Sequence, residues 1–187
     1  MAYTTIDDPS EYFHTQIYTG NGSAPRDITN DANAGDFQPD WLWYKERDGT
    51  SEHRVFDSSR GASKRLEPNN ENAEATDTTN HKSFDSNGFT IGNSGSTNEN
   101  GKTYVAWQWK ANGGTTSSNS SGTITSTVQA DTTAGFSIVT YTGTGSNATV
   151  PHGLGATPDM VIVRNTTDTE QWVVYHKGLD TSGNNEP

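Results

Sequence analysis

The chain contains no cysteine, which excludes a disulfide framework, thiolate catalysis and Cys-based metal sites. Long hydrophobic runs are also missing: no stretch approaches the 18 or so apolar residues of a membrane-spanning helix. Residues 1–12 lack the basic start and apolar middle of a secretory signal. Positive charge is scarce, with 12 Lys and Arg against 23 Asp and Glu and a formal net charge of -11. Such a field repels phosphate backbones, so neither nucleic acid nor membrane insertion is expected. Hydrophobic residues make up only 28%. The core must therefore be thin, built from 5 Trp, 7 Tyr and 6 Phe set in periodic runs rather than scattered singly.

What the chain does have is a statement made twice. Phe13, Tyr18, Gly20, Gly22 and Ser23 return as Phe136, Tyr141, Gly143, Gly145 and Ser146, at a constant offset of 123 residues. After four fewer loop residues the register resumes at an offset of 119, placing residues 158–164 on residues 39–45 and Val174-Tyr175 on Val55-Phe56. Repeats of this length are whole modules rather than solenoid units. The sequence predicts a complete module over residues 1–111, a Gly/Ser/Thr/Asn-rich linker over 112–122, and the first part of a second copy over 123–187. Pro187 aligns with Pro68, so counterparts of residues 83–110 are expected on a longer polypeptide or on another chain.

Strand signals dominate. Residues 104–110 alternate, with Val105, Trp107 and Trp109 on one face and Tyr104, Ala106 and Gln108 on the other; the tryptophan face is expected to be buried. Residues 41–44 and 160–163 are apolar throughout, the pattern of central strands covered on both sides. Trp41 and Trp43 are replaced by Met160 and Ile162, which favours a core role over flat stacking platforms. Shorter strands are predicted at 13–18, 54–56, 89–91, 123–128, 136–141 and 171–175. Asp48-Gly49 closes a hairpin, and Asn21-Gly22, Asn87-Gly88 and Asn100-Gly101 supply further turns. The only helix candidate is the short stretch 71–75. This is an all-β pattern, an antiparallel β-sandwich of jelly-roll or concanavalin-like type.

Candidate sites are few. Asp27, Asp31, Asn33 and Asp36 form an oxygen-rich segment of the kind calcium uses, without the order of an EF-hand; an ordinary solvated acidic loop is the competing reading. Arg60, Lys64 and Arg65 make the one basic cluster, which either bridges internal carboxylates or meets an anionic glycan or partner. Five histidines show no ligand spacing. Ser51, His53 and Asp57 are close in sequence but lack a nucleophile elbow, and no catalytic residue or organic cofactor is assigned. The opening segment, with Tyr3, Ile6, Asp7, Asp8 and Pro9, is expected to dock as an added strand on a partner sheet.

Taken together, the motifs Phe13 to Gly22, Pro39-Asp40-Trp41-Leu42-Trp43, Phe56-Asp57 with Arg60-Gly61, Ser83-Phe84-Asp85, and Tyr104 to Gly114 resemble a repeat module of marine bacteriophage (cyanophage- or pelagiphage-type) tail-fibre or virion structural proteins. The resemblance implies a sandwich repeated along a fibre, in a virion assembled in the bacterial host cytoplasm. It also implies other tail proteins as partners, self-association (trimers by analogy) and adhesion to host-surface glycan. The alternative is a stand-alone carbohydrate-binding module, calcium-assisted through the Asp27 segment.

Overall fold

The computed structural model describes residues 6–179 apart from residue 32. Its strands are β1 (Phe13–Thr19), β2 (Arg26–Thr29), β3 (Trp41–Glu46), β4 (Arg54–Asp57), β5 (Lys64–Arg65), β6 (Ala75–Thr76), β7 (His81–Asp85), β8 (Gly88–Ile91), β9 (Thr103–Trp109), β10 (Ser117–Asn119), β11 (Ser126–Asp131), β12 (Phe136–Tyr141), β13 (Met160–Val163) and β14 (Val173–His176). One short helix, α1 (Gly95–Asn98), is capped by the Ser94 side chain. The protein is an all-β antiparallel sandwich, as its alternating sequence requires.

Two sheets form the sandwich, in the orders β1-β9-β3-β4 and β2-β8-β7. Between them lie Tyr18, Ile28, Leu42, Tyr44, Phe56, Phe89, Ile91, Tyr104 and Ala106. Full burial of such side chains contributes roughly 1.5–3 kcal/mol each. The turn from β7 into β8 is Ser86-Asn87, one residue earlier than the predicted Asn87-Gly88; Gly88 opens β8 at φ 115°, where a Cβ would run into the Ile28 carbonyl. Beyond the sandwich lie the sheet β10-β11-β12 and the hairpins β5-β6 and β13-β14.

Several expectations need correcting. On β9 the buried face is Tyr104, Ala106 and Gln108, each fully buried, while Val105, Trp107 and Trp109 are only half-buried on the outer side. β3 alternates too: Leu42 and Tyr44 face the core, and Trp41 and Trp43 face outward. The physical reason is register. Trp41 lies opposite Trp109 and Trp43 opposite Trp107, so all four indoles share one face, and the other sheet covers the opposite face. Residues 71–75 form no helix; β6 begins at their end. The segment read as a linker carries β10, held by β11, and β11 starts three residues later than the predicted strand. β13, expected to be covered on both sides, is exposed at every position.

Candidate functional site

Two surfaces stand out among the described residues. The first is the outer face of β1-β9-β3-β4, where side-chain parity puts Phe13, Trp109 and Trp41 in one row and Thr15, Trp107 and Trp43 in the next. Phe13 packs on Trp109 with ring centroids 4.9 Å apart, and Trp43 meets Trp107 edge-on at 6.0 Å. The Trp43 indole N–H donates to His53 Nδ1 at 2.8 Å. That bond needs an unprotonated Nδ1, and burial followed by the nearby Lys45 charge lowers the His53 pKa. Phe136 of β12 stacks over Trp109 at 6.4 Å, so the later strands rest on one end of this face. At its open end Ile17 is 56% exposed. The surface offers flat aromatic edges and few charges, chemistry suited to an apolar partner face or a sugar ring.

The second surface is the hairpin β13-β14. Trp41 faces Asp57, Leu42 faces Phe56, Trp43 faces Val55 and Tyr44 faces Arg54 across β3-β4. Moved on by 119 residues, the same register appears: Met160 faces His176, Val161 faces Tyr175, Ile162 faces Val174 and Val163 faces Val173. Environment separates the two hairpins. Leu42, Tyr44, Val55 and Phe56 are fully buried, whereas Val161 and Val163 are 37% exposed, Val174 47% and Tyr175 48%. The hairpin is nonetheless fixed in place. Arg164 donates to the Glu71 and Asn72 carbonyls at 2.6 Å each and lies over the Trp172 ring; the Trp172 indole donates to the Glu67 carbonyl at 3.1 Å, and Glu74 N–H donates to the Thr166 carbonyl at 2.9 Å.

The residues singled out from sequence fall elsewhere. Arg60 is spent on Asp57 (2.6 Å) and Glu74 (2.8 Å), Lys64 approaches Glu74 at 3.4 Å, and Arg65 pairs with Asp77 (2.7 Å) and Glu67 (3.3 Å). Burial works against the Glu67 and Asp77 carboxylates. Hydrogen bonds from Asn70 and Asn72 with the Arg54 and Arg65 charges outweigh it at Glu67, and hydrogen bonds from Thr79, Arg65 and Asn80 outweigh it at Asp77, holding both below the usual carboxylate range. The basic cluster thus bridges internal carboxylates, and no open basic patch is formed from it.

The oxygen-rich segment is also dispersed. Asp27, on β2, accepts from the Thr90 hydroxyl (2.8 Å), Asp31 lies 3.7 Å from His14 and accepts from Asn33 N–H, and Asp36 accepts from the Asn87 amide (2.7 Å). Among the described residues no group of three or more His, Asp or Glu side chains is arranged to hold a metal ion. Strand formation over Arg26–Thr29 sets Asp27 opposite Thr90 of β8, which takes up its carboxylate, while Asp31 and Asp36 bond to other partners in the loop beyond the strand.

In the opening segment Tyr3 lies outside the described residues, and Ile6 is half-buried. Asp7 and Asp8 are exposed; Asp8 caps a 3-10 turn over Pro9–Glu11 through Ser10. The segment is therefore not extended beyond Pro9.

Sequence reading missed Asp40, which is fully buried and ties the sandwich to the β10-β11-β12 sheet. Its carboxylate accepts from Ala111 N–H (2.7 Å), Gly113 N–H (2.9 Å), Gly114 N–H (2.8 Å) and the Ser58 hydroxyl (2.7 Å). Gln129, fully buried on β11, closes the junction by accepting from Gly114 N–H and donating to Ser58 and Ser59. The available signal was an aspartate in a chain reversal followed by a Gly-Gly pair.

A family model described as "Domain of unknown function (DUF7483)" matches residues 8–186, so the chain belongs to that family, and the match runs through the sandwich and the later strands together. No curated protein and no solved structure matches the chain.

Proposed function

We propose that this member of the family is a non-catalytic structural protein of a bacteriophage tail fibre or related appendage, acting in the virion after assembly in the host cytoplasm. One observation carries the reading: a hairpin that repeats the β3-β4 register 119 residues later leaves apolar side chains in solvent that the first hairpin buries. A surface of that kind suits a protein whose modules are completed by neighbours. The partners would be other tail proteins and further copies of this chain in a symmetric oligomer, a trimer by analogy. The opening segment, with Ile6, Asp7, Asp8 and Pro9, would serve as the anchor. Linked modules would then grip host-surface glycan through many weak contacts, which raise effective concentration without one strong site.

The experiment is native and denaturing mass spectrometry of particles purified from the source host. Recovery of the protein at a fixed, symmetric copy number is expected. Its absence from washed particles would overturn the proposal.

A second reading, a carbohydrate-binding module, draws on the outward Trp41, Trp43, Trp107 and Trp109. Tryptophan fluorescence titrated with host polysaccharide tests it. Saturable quenching unaffected by chelator is expected, since the candidate calcium ligands are dispersed; an unchanged spectrum at millimolar sugar would dispose of it.

A further inference from the structure

Strand β9 is what joins and covers the sandwich's main sheet. It pairs antiparallel with β1 on one side and with β3 on the other, and is the sole strand between them. The counterparts of β1 and β3 are β12 and β13, and between these two the structure has no pairing among the described residues. β12 is paired with β11, and β13 with β14 alone.

The free edge of β13 has a definite polarity. Arg47 N–H donates to the Thr103 carbonyl across β3-β9. Alternation along an antiparallel ladder then aims the Trp43 and Trp41 amides at β9 as well. Their counterparts are Ile162 and Met160. Nothing on β13 protects that edge: it carries no lysine, proline or other charge, and its four residues are Met, Val, Ile and Val. Exposed, apolar, uncharged edges are what folded proteins ordinarily blunt or pair. Val173, Val174, Tyr175 and Leu179 are exposed as well, so the hairpin and the residues after it carry apolar side chains that solvent reaches on both strands.

We infer that β13 is a docking edge for one added strand of the β9 type, contributed by a partner polypeptide and running antiparallel to β13. The inference rests on the repeat-module part of the function proposed above. The first copy specifies the occupant: an extended segment of about seven residues without proline, alternating so that its inner-face side chains lie beside Val161 and Val163 as Gln108 and Ala106 lie beside Leu42 and Tyr44. Among the described residues β9 itself is held on both sides, by β1 and β3, and does not supply the strand. Main-chain bonds to Met160 and Ile162 would supply affinity, and the alternate side chains specificity, as in strand addition generally.

The test uses the 187-residue chain and a synthetic peptide with the sequence of residues 102–110, beside a scrambled peptide of the same composition. Fluorescence anisotropy should give saturable one-to-one binding at least about tenfold tighter than the scrambled control. Amide exchange followed by NMR should slow at Met160 and Ile162, with smaller change at Val161 and Val163, whose amides face β14. V161K and V163K lie on an already exposed strand and leave the sandwich core untouched; each should weaken binding at least about tenfold with the core aromatic spectrum unchanged.

Equal binding of the scrambled peptide, or protection that falls on β1 and β3, would overturn the inference. So would concentration-dependent protection of Met160 and Ile162 without peptide, because the edge would then be closed by a second copy's hairpin. None of these results bears on whether the protein is a virion component, which the particle measurement decides separately.

Discussion

Asp40 and Asp159 occupy the same place in the repeated Pro-Asp motif, and the structure expects them to behave oppositely. Asp40 is fully buried and its carboxylate accepts from Ala111, Gly113 and Gly114 N–H, the Ser58 hydroxyl and the Gln38 amide. In Asp40→Ala, Gly114 N–H keeps its second acceptor, Gln129 Oε1 at 2.8 Å, and half-buried Ser58 and Gln38 can reach Gln129 or water. Gly113 is exposed and its N–H can turn to water, so the buried Ala111 N–H is the amide left without a partner. One orphaned buried amide at about 1–3 kcal/mol puts the loss near 2 kcal/mol, or roughly 4–8 °C in Tm for a chain of this length. Asp40→Asn keeps one oxygen but turns an NH2 toward donors, for a loss of about 1–2 kcal/mol. Asp159 pairs with Lys177, both 62% exposed, and Asp159→Ala should stay within about 0.5 kcal/mol of the parent. Urea unfolding followed by tryptophan fluorescence measures all three, and amide exchange over residues 111–131 should accelerate only in the Asp40 variants. If Asp40→Ala and Asp159→Ala lose equal stability, the junction reasoning is wrong.

Two further outcomes follow from buried groups. Burial lowers the pKa of His81, whose Nδ1 meets the Tyr44 hydroxyl at 2.9 Å, to about 3. The unfolded chain takes up this proton near pH 6.5, so stability is intact above that value and falls as the pH drops toward 3; between pH 7 and 5 this group alone costs about 2 kcal/mol. H81Q should be less stable at pH 7 yet lose about 2 kcal/mol less on acidification, and parallel stability-against-pH curves for the two proteins would contradict this. Gly20 and Gly143 share the repeat position, but a Cβ on Gly20 runs into the Glu99 carbonyl while Gly143 has open space. Gly20→Ala is expected to cost about 1–3 kcal/mol and Gly143→Ala under about 0.5 kcal/mol in thermal denaturation; equal shifts would refute the packing argument.

The strands with strong alternation or aromatic content were legible: β1, β3, β4, β8, β9, β12 and β13 lie where the sequence puts them, to within two residues at either end. β2 and β7 were not, because Arg26–Thr29 and His81–Asp85 are polar strands with one or two inward apolar residues each. Their identity as strands comes from pairing with β8, a long-range contact that local pattern does not encode. The short strand β10 is made of Ser and Asn and owes its existence to β11 and to the Asp40 junction. Local composition there reads as linker whatever the tertiary bonds do.

The candidate surfaces were half legible, and the error has one source. Period-two alternation assigns residues to two faces but does not say which face is covered. On β9 the larger side chains, Trp107 and Trp109, look like core, yet Tyr104, Ala106 and Gln108 are buried. One detail could have decided the matter. Gln108 and Ala106 lie opposite Leu42 and Tyr44, and a face that combines a glutamine and an alanine with aromatics fits beneath a second sheet better than one bearing four indoles. The replacement of Trp41 and Trp43 by Met160 and Ile162, read above as favouring the core, misled because an outward row is under a looser volume constraint than a packed core and accepts such a change as readily. The same parity places Met160 and Ile162 on the outer face of the second hairpin and Val161 and Val163 on the inner one. The inner-face positions that stay hydrophobic in both copies, Leu42 and Tyr44 and then Val161 and Val163, are therefore those a covering strand or sheet would have to meet.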